Sequence, residues 1–210
     1  SPAELKKCPL VYERVQRCKE TREQSIAAAI RKFAETPTLF AQRTQPVGKA
    51  SVIIPCHSSE TRKYVPFGFI GPEIIVNNAV QILPDASLYH FGVIISNIHM
   101  AWMRAICGRI ASGYRYSKDV VYNNFPWPTP TDEQKKKIEE TAQAILDARA
   151  LYPDCSLADL YDELTMPVEL RKAHQANDKA VMQAYGFSLK MTESECVAEL
   201  MKMYQELIKS

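Results

Sequence analysis

Residues 88–110 are the richest apolar stretch of the chain, Leu-Tyr-His-Phe-Gly-Val-Ile-Ile-Ser-Asn-Ile-His-Met-Ala-Trp-Met-Arg-Ala-Ile-Cys-Gly-Arg-Ile. The stretch is too long and too continuously apolar for a strand, and it reads as a buried helix. Its aromatic and methionine content then belongs to a core rather than to a ligand site. A chain of 210 residues, 46% of them hydrophobic, can enclose such a helix in one large domain or two small ones. His90, Asn97, His99 and Arg104 interrupt the run, and no segment approaches the roughly 20 apolar residues that cross a bilayer. The first residues, Ser1-Pro-Ala-Glu-Leu-Lys-Lys, do not read as a secretory leader. The six cysteines lie far apart with no CxxC pair, which predicts free thiols in a reducing cytoplasm rather than disulfides or zinc.

Around this stretch the chain divides into three predicted regions. Residues 10–35 read as a helix with an alanine-rich second half, and Pro37 and Pro46 bracket its exit. Short β-prone pieces follow at 50–55, 64–70, 73–76 and 80–83, punctuated by Pro, Gly and Asn. After Pro126-Trp-Pro-Thr-Pro130, four helices announce their starts. Three are capping-box spacings, Thr131-x-x-Gln134, Ser156-x-x-Asp159 and Thr192-x-x-Glu195, and the fourth is Thr165 with Pro167 in its first turn. The predicted apolar faces are Ile138, Ala142, Ile145, Ala148 and Leu151; Leu157, Leu160, Tyr161 and Leu164; and Val197, Leu200, Met201, Tyr204 and Leu207. The expected fold is α+β: an amino-terminal connecting helix (1–45), a mixed α/β lobe containing the long buried helix (46–128), and an all-α bundle (129–210).

Net charge is unevenly spread. Residues 1–65 hold 12 Lys and Arg against 6 Asp and Glu, residues 66–128 hold 4 against 3, and residues 129–210 hold 10 against 15. The first 128 residues therefore carry +7 and the remainder −5, so a polyanion is expected to meet the front of the chain.

The most tempting catalytic motif is Asn124-Phe-Pro-Trp127. Amino-group methyltransferases hold a flipped base with a loop of the form Asn/Asp-x-Pro-aromatic. The seven glycines contain no GxG, so the turn that would hold S-adenosylmethionine is missing. The tetrapeptide is also readable as a junction between domains. A divalent-metal nuclease needs clustered acids with a lysine, and none of the nine acids before residue 129 is so arranged. Cys56-His57 reads as a packed cysteine beside a surface histidine. The chain itself is expected to catalyse nothing.

Two segments suit DNA. Ser58-Ser-Glu-Thr-Arg-Lys63 offers hydroxyls and cations of the kind that hold phosphate oxygens, though an ordinary solvated turn has the same composition. Arg104, Arg109, Arg115 and Lys118 interleave with Tyr114 and Tyr116. Arg115 could give two hydrogen bonds to a guanine edge, one to a phosphate, or pair with Asp119 instead.

The elements Thr36-Pro-Thr-Leu-Phe, Ile54-Pro-x-x-Ser58-Ser-Glu-x-Arg62-x-Tyr64-x-Pro-x-Gly68-Phe, His99-Met-Ala-Trp-Met-Arg104, Tyr114-Arg-Tyr-Ser117 and Leu170-Arg-Lys-Ala-His174 occur together here. In that combination, across nearly the whole length, the chain resembles the target-recognition region and carboxy-terminal helices of type IIL restriction-modification enzymes. These are single chains joining an endonuclease, an adenine-N6 methyltransferase and DNA recognition. The resemblance implies double-stranded DNA as partner, together with an upstream methyltransferase domain of the same parent chain. Cofactors are none in this fragment, with S-adenosylmethionine and Mg2+ belonging to the parent. It implies base-reading positions at Ala79, Ala111, Gly113 and Arg115, of which Ala111 and Gly113 have little or no side chain to read with. DNA-backbone contacts are expected from Ser58, Ser59, Arg62, Lys63, Arg109, Tyr116 and Lys118. The alternatives are a minimal amino-methyltransferase using Asn124–Trp127, and a specificity or protein-interaction subunit that reads no bases.

Overall fold

A computed structural model describes residues 2–41 and 48–209. Contacts divide the chain into two units, one within residues 1–44 and one within 45–210. Pro46, expected to mark the exit of the first helix, lies outside the described residues.

The first unit holds α1 (Pro2–Leu5), α2 (Pro9–Glu23), α3 (Ala28–Arg31) and a 3-10 turn, Lys32–Glu35. The single helix expected over 10–35 is broken at residues 24–27, and local polar groups explain the break. The Ser25 hydroxyl accepts from the Ala27 N–H at 3.3 Å, and Arg31 donates to the carbonyls of Ser25 and Ile26. Arg22 then gathers the carbonyls of Phe33, Thr36 and Leu39 at 2.8–3.0 Å, folding the segment back on α2.

The second unit opens with two small antiparallel sheets. In the first, β1 (Ser51–Pro55) lies between β3 (Gly68–Ile70) and β4 (Val80–Pro84). In the second, β6 (Gly113–Arg115) lies between β2 (His57–Ser58) and β5 (Gly108–Ile110). The β-prone piece at 73–76 forms no strand; the Ile74 N–H bonds the Gly71 carbonyl in a turn, and β1 is already flanked on both edges. Of residues 64–70 only the last three are strand, because Tyr64, Val65 and Phe67 point into the core from an irregular segment.

The apolar stretch 88–110 is not one helix. It forms α4 (Leu88–Ile94) and α5 (Asn97–Ile106), then leaves helix altogether for β5. Ser96 makes the break: its hydroxyl caps α5 by accepting from the His99 N–H and donates to the Val93 carbonyl at 2.7 Å. Both helices are buried as expected, and Phe91, Trp102 and Met103 are almost wholly enclosed.

A π-helical turn, Lys118–Tyr122, leads to α6 (Asp132–Ala150), α7 (Leu157–Leu160), α8 (Val168–Ala184) and α9 (Glu193–Leu207). Thr131, Ser156 and Thr192 each cap through a reciprocal capping box. Thr165 does not start α8. Pro167 does, and the Thr165 hydroxyl bonds the Asp159 carbonyl instead. Leu151, Leu157, Leu164 and Leu207, placed on inward faces from their spacing, are exposed: Leu157 opens α7 and Leu207 closes α9, while Leu151 and Leu164 lie beyond the ends of α6 and α7.

One hydrophobic cluster runs from Val52 through α4 and α5 to Leu200. At Gly92 α4 comes close to α6: a Cβ there would stand 2.7 Å from the Ile138 side chain and 3.1 Å from Ala142. The break between α4 and α5 leaves main-chain groups without helical partners, and α8 supplies them. Asn177 donates to the Gly92 carbonyl at 2.8 Å, while Asp178 accepts from the Asn97 N–H at 2.8 Å and from the Tyr64 hydroxyl at 2.7 Å.

Candidate nucleic-acid interface

The pleat of the second sheet decides which side chains can be offered to a ligand. Register places Gly108, Arg115 and His57 in one row across β5, β6 and β2, and Arg109, Tyr114 and Ser58 in the next. Successive strand residues face opposite ways, so the two rows look in opposite directions. Tyr114 and Tyr116 are buried and Arg115 between them is exposed. The outer face therefore presents Arg115 and His57, with Ile110 and Gly113 further along. No hydrogen bond or ion pair holds the Arg115 guanidinium among the described residues, and Asp119 is paired with Lys118 instead.

β5 and β6 join through Ala111-Ser112, a two-residue hairpin with Ala111 at a φ of 51°. That region favours glycine, and holding an alanine there costs about 1–2 kcal/mol. Arg109 offsets this cost: its guanidinium lies 4.2 Å from the centre of the Tyr114 ring and donates to the Ser112 carbonyl at 3.2 Å. Gly113 is fixed by packing, since a Cβ would lie 3.0 Å from the Ser58 carbonyl oxygen.

Cys56 couples this hairpin to the other sheet. Its N–H donates to the Ala79 carbonyl at 2.9 Å and its carbonyl accepts from the Tyr116 N–H at 2.8 Å. The Ala79 N–H in turn donates to the Asn77 side chain at 2.9 Å, a turn that holds Ala79 exposed. Ala79 and the strand of Arg115 are thus joined through one residue, with Gly113 and Ala111 further along the hairpin.

Two residues expected at the DNA backbone are enclosed by the fold. Tyr116 is buried, its hydroxyl 3.0 Å from Nε2 of fully buried His99, whose imidazole burial pushes down to about 3. The Ser58 hydroxyl faces the Tyr114 side and is enclosed. Both placements follow from the strand alternation. Ser59 and Thr61 are exposed and tied by a hydroxyl–hydroxyl bond of 2.8 Å. Arg62 and Lys63 line a cleft of about 360 Å³ with Glu60, Glu163 and Glu193, carboxylates that weaken its pull on phosphate. Arg104 is a brace, held by Glu193 at 2.7 and 2.8 Å and donating to the Lys63 carbonyl.

Asn124-Phe-Pro-Trp127 is built as a joint. The Asn124 amide donates to the carbonyls of Asp119 and Val120 at 2.8 and 3.0 Å. Phe125 is buried edge-on against His99, and the Pro126 carbonyl accepts from the Tyr185 hydroxyl at 2.7 Å. Trp127 packs against Tyr89, Tyr122 and Phe125. Among the described residues no group of three His, Cys, Asp or Glu could hold a metal ion, and no helix is long and apolar enough to cross a membrane. All six cysteines are free thiols.

Residues 1–129 match the family model described as MmeI, target recognition domain, and residues 130–210 match that of the MmeI C-terminal domain. DNA methyltransferase A of Bacillus subtilis (strain 168) is 37% identical over 203 residues, covering 97% of this chain and 23% of that protein. A solved structure of the type IIL restriction-modification enzyme MmeI in complex with DNA superposes on the whole chain with a TM-score of 0.93 at 44% identity, over 28% of its own length. The chain thus spans about a quarter of each relative.

Proposed function

We propose, from the premise that this chain belongs to the MmeI family of type IIL restriction-modification enzymes, that it selects a short duplex DNA sequence on behalf of its parent protein. The observation carrying this reading is the outer face of the second sheet. There an exposed arginine, without a partner among the described residues, stands beside Gly108 and two residues from Gly113, held by a backbone locked at Cys56. Arg115 donates to a guanine edge in the major groove, and Ala79, Ala111 and Gly113 border the same bases with little side chain of their own. Ser59, Arg62, Lys63, Arg109 and Lys118 lie on exposed or cleft-lining segments from which they contact the phosphates. Residues 1–45 connect to the upstream domain, 46–128 read DNA, and 129–210 brace the reading lobe through Asn177, Asp178 and Glu193.

The parent transfers a methyl group to N6 of an adenine in the cytoplasm. S-adenosylmethionine and Mg2+ are assigned to the parent, as the family resemblance implies. Comparing Arg115→Ala with the unchanged protein on duplexes varied one base pair at a time tests the reading. The expected result is a loss of about 1–3 kcal/mol of discrimination at one position. Unchanged preference, with Arg62→Ala also leaving affinity intact, would favour the interaction-subunit alternative. Tight calorimetric binding of S-adenosylmethionine by this chain would favour the methyltransferase one.

A further inference from the structure

We infer that His57 is a second base-reading side chain, working beside Arg115 to select a purine; this rests on the DNA-reading role proposed above. The two residues are direct cross-strand partners, and both are exposed on the outer face. Directly opposite residues hold their Cβ atoms about 4.5–5.5 Å apart. Stacked bases rise about 3.4 Å per step, so an imidazole at that offset meets the base pair read by Arg115 or the next one.

Three features suit His57 to this task. The row continues to Gly108, where a Cβ would already touch the Arg115 side chain at 3.9 Å, so the surface beside the pair is left bare for a groove to approach. The main chain before His57 is locked twice through Cys56, to Ala79 and to Tyr116, which fixes the ring's starting point. Among the described residues no carboxylate pairs with either side chain. An arginine and a histidine placed side by side without an acid add nothing to stability, and they fit a partner rich in acceptors. The purine N7, shared by guanine and adenine, is such an acceptor in the major groove.

The test uses the intact parent protein with His57→Ala, His57→Phe and Arg115→Ala, mapping which sites of a randomised plasmid library become methylated. His57→Ala is expected to admit pyrimidines at one base pair with roughly 5- to 100-fold less discrimination, within one step of the position relaxed by Arg115→Ala. His57→Phe keeps a ring but no hydrogen-bonding nitrogen and should relax the same position. The inference is overturned if His57→Ala leaves every position unchanged, if it lowers methylation uniformly as a phosphate contact would, or if His57→Phe retains the purine preference. Relaxation by Arg115→Ala alone overturns the role of His57 and leaves the proposed function standing. An unchanged protein without sequence preference overturns both.

Discussion

Replacing Asp178 by asparagine isolates the energetics of the contact that joins α8 to the break between α4 and α5. The carboxyl is 8% exposed, and burial pushes it from its ordinary 3.8 up to about 6. Hydrogen bonds from Tyr64 and the Asn97 N–H, with the charges of Lys63 and Arg104, pull the other way without prevailing. An acid raised on folding binds its proton more tightly in the native state. Its contribution to stability is therefore complete below about pH 3.8 and is lost as pH rises through about 6. The distance between those values corresponds to about 3 kcal/mol. Asparagine has nearly the shape of the protonated acid and cannot ionise. Urea denaturation at pH 4 and pH 7.5 should find Asp178→Asn gaining on the unchanged protein by about 2–3 kcal/mol between the two. Asp159 and Glu195, held low by the Ser156 hydroxyl and the Thr192 N–H respectively, work with the opposite sign, but they are common to both proteins and cancel. If the unchanged protein instead gained on the variant as pH rose, the hydrogen bonds would outweigh burial and the reasoning would be wrong.

Gly92→Ala should destabilise by about 1–3 kcal/mol in the same assay, because the new methyl meets Ile138 at 2.7 Å; a neutral result would mean that α6 can shift freely. Tyr116→Phe should cost about 1 kcal/mol through the lost bond to His99 and leave the salt dependence of DNA binding unchanged. A reduced salt slope would return Tyr116 to the phosphate set. Asn124→Ala should lower the melting temperature by freeing two carbonyls of the π-helical turn. Loss of methylation by the parent with unchanged melting would restore that residue to catalysis.

What could be read in the sequence was what neighbouring residues decide among themselves. Thr131, Ser156 and Thr192 announced their helices because cap and acceptor lie three residues apart. The same kind of signal was present at Ser96 and at Ser87, whose third residues are both histidine, but the apolar run around them overrode it. The hairpin was hidden because Ala111 occupies a turn position where glycine is the usual signal. Arg115 stood out as a cation among aromatics. The burial of Tyr116 and the outward turn of His57 depend instead on pairing between residues 57 and 115, which no local pattern encodes. Asn177 and Asp178 looked like ordinary polar residues of a helix until the break they fill, some 80 residues earlier, was known.

The double attachment of Cys56 bears on how such a chain can acquire a new target. Its amide donates to the carbonyl of Ala79 and its carbonyl accepts from the residue after Arg115, so the two segments proposed to read bases hang from a single peptide frame. A hairpin transplanted from a relative would arrive without the turn it was fitted to, and a transplanted turn would shift the hairpin. New preferences are then reached by exchanging side chains in place, or by moving the segments around residues 54–58, 77–81 and 107–116 together as one cassette.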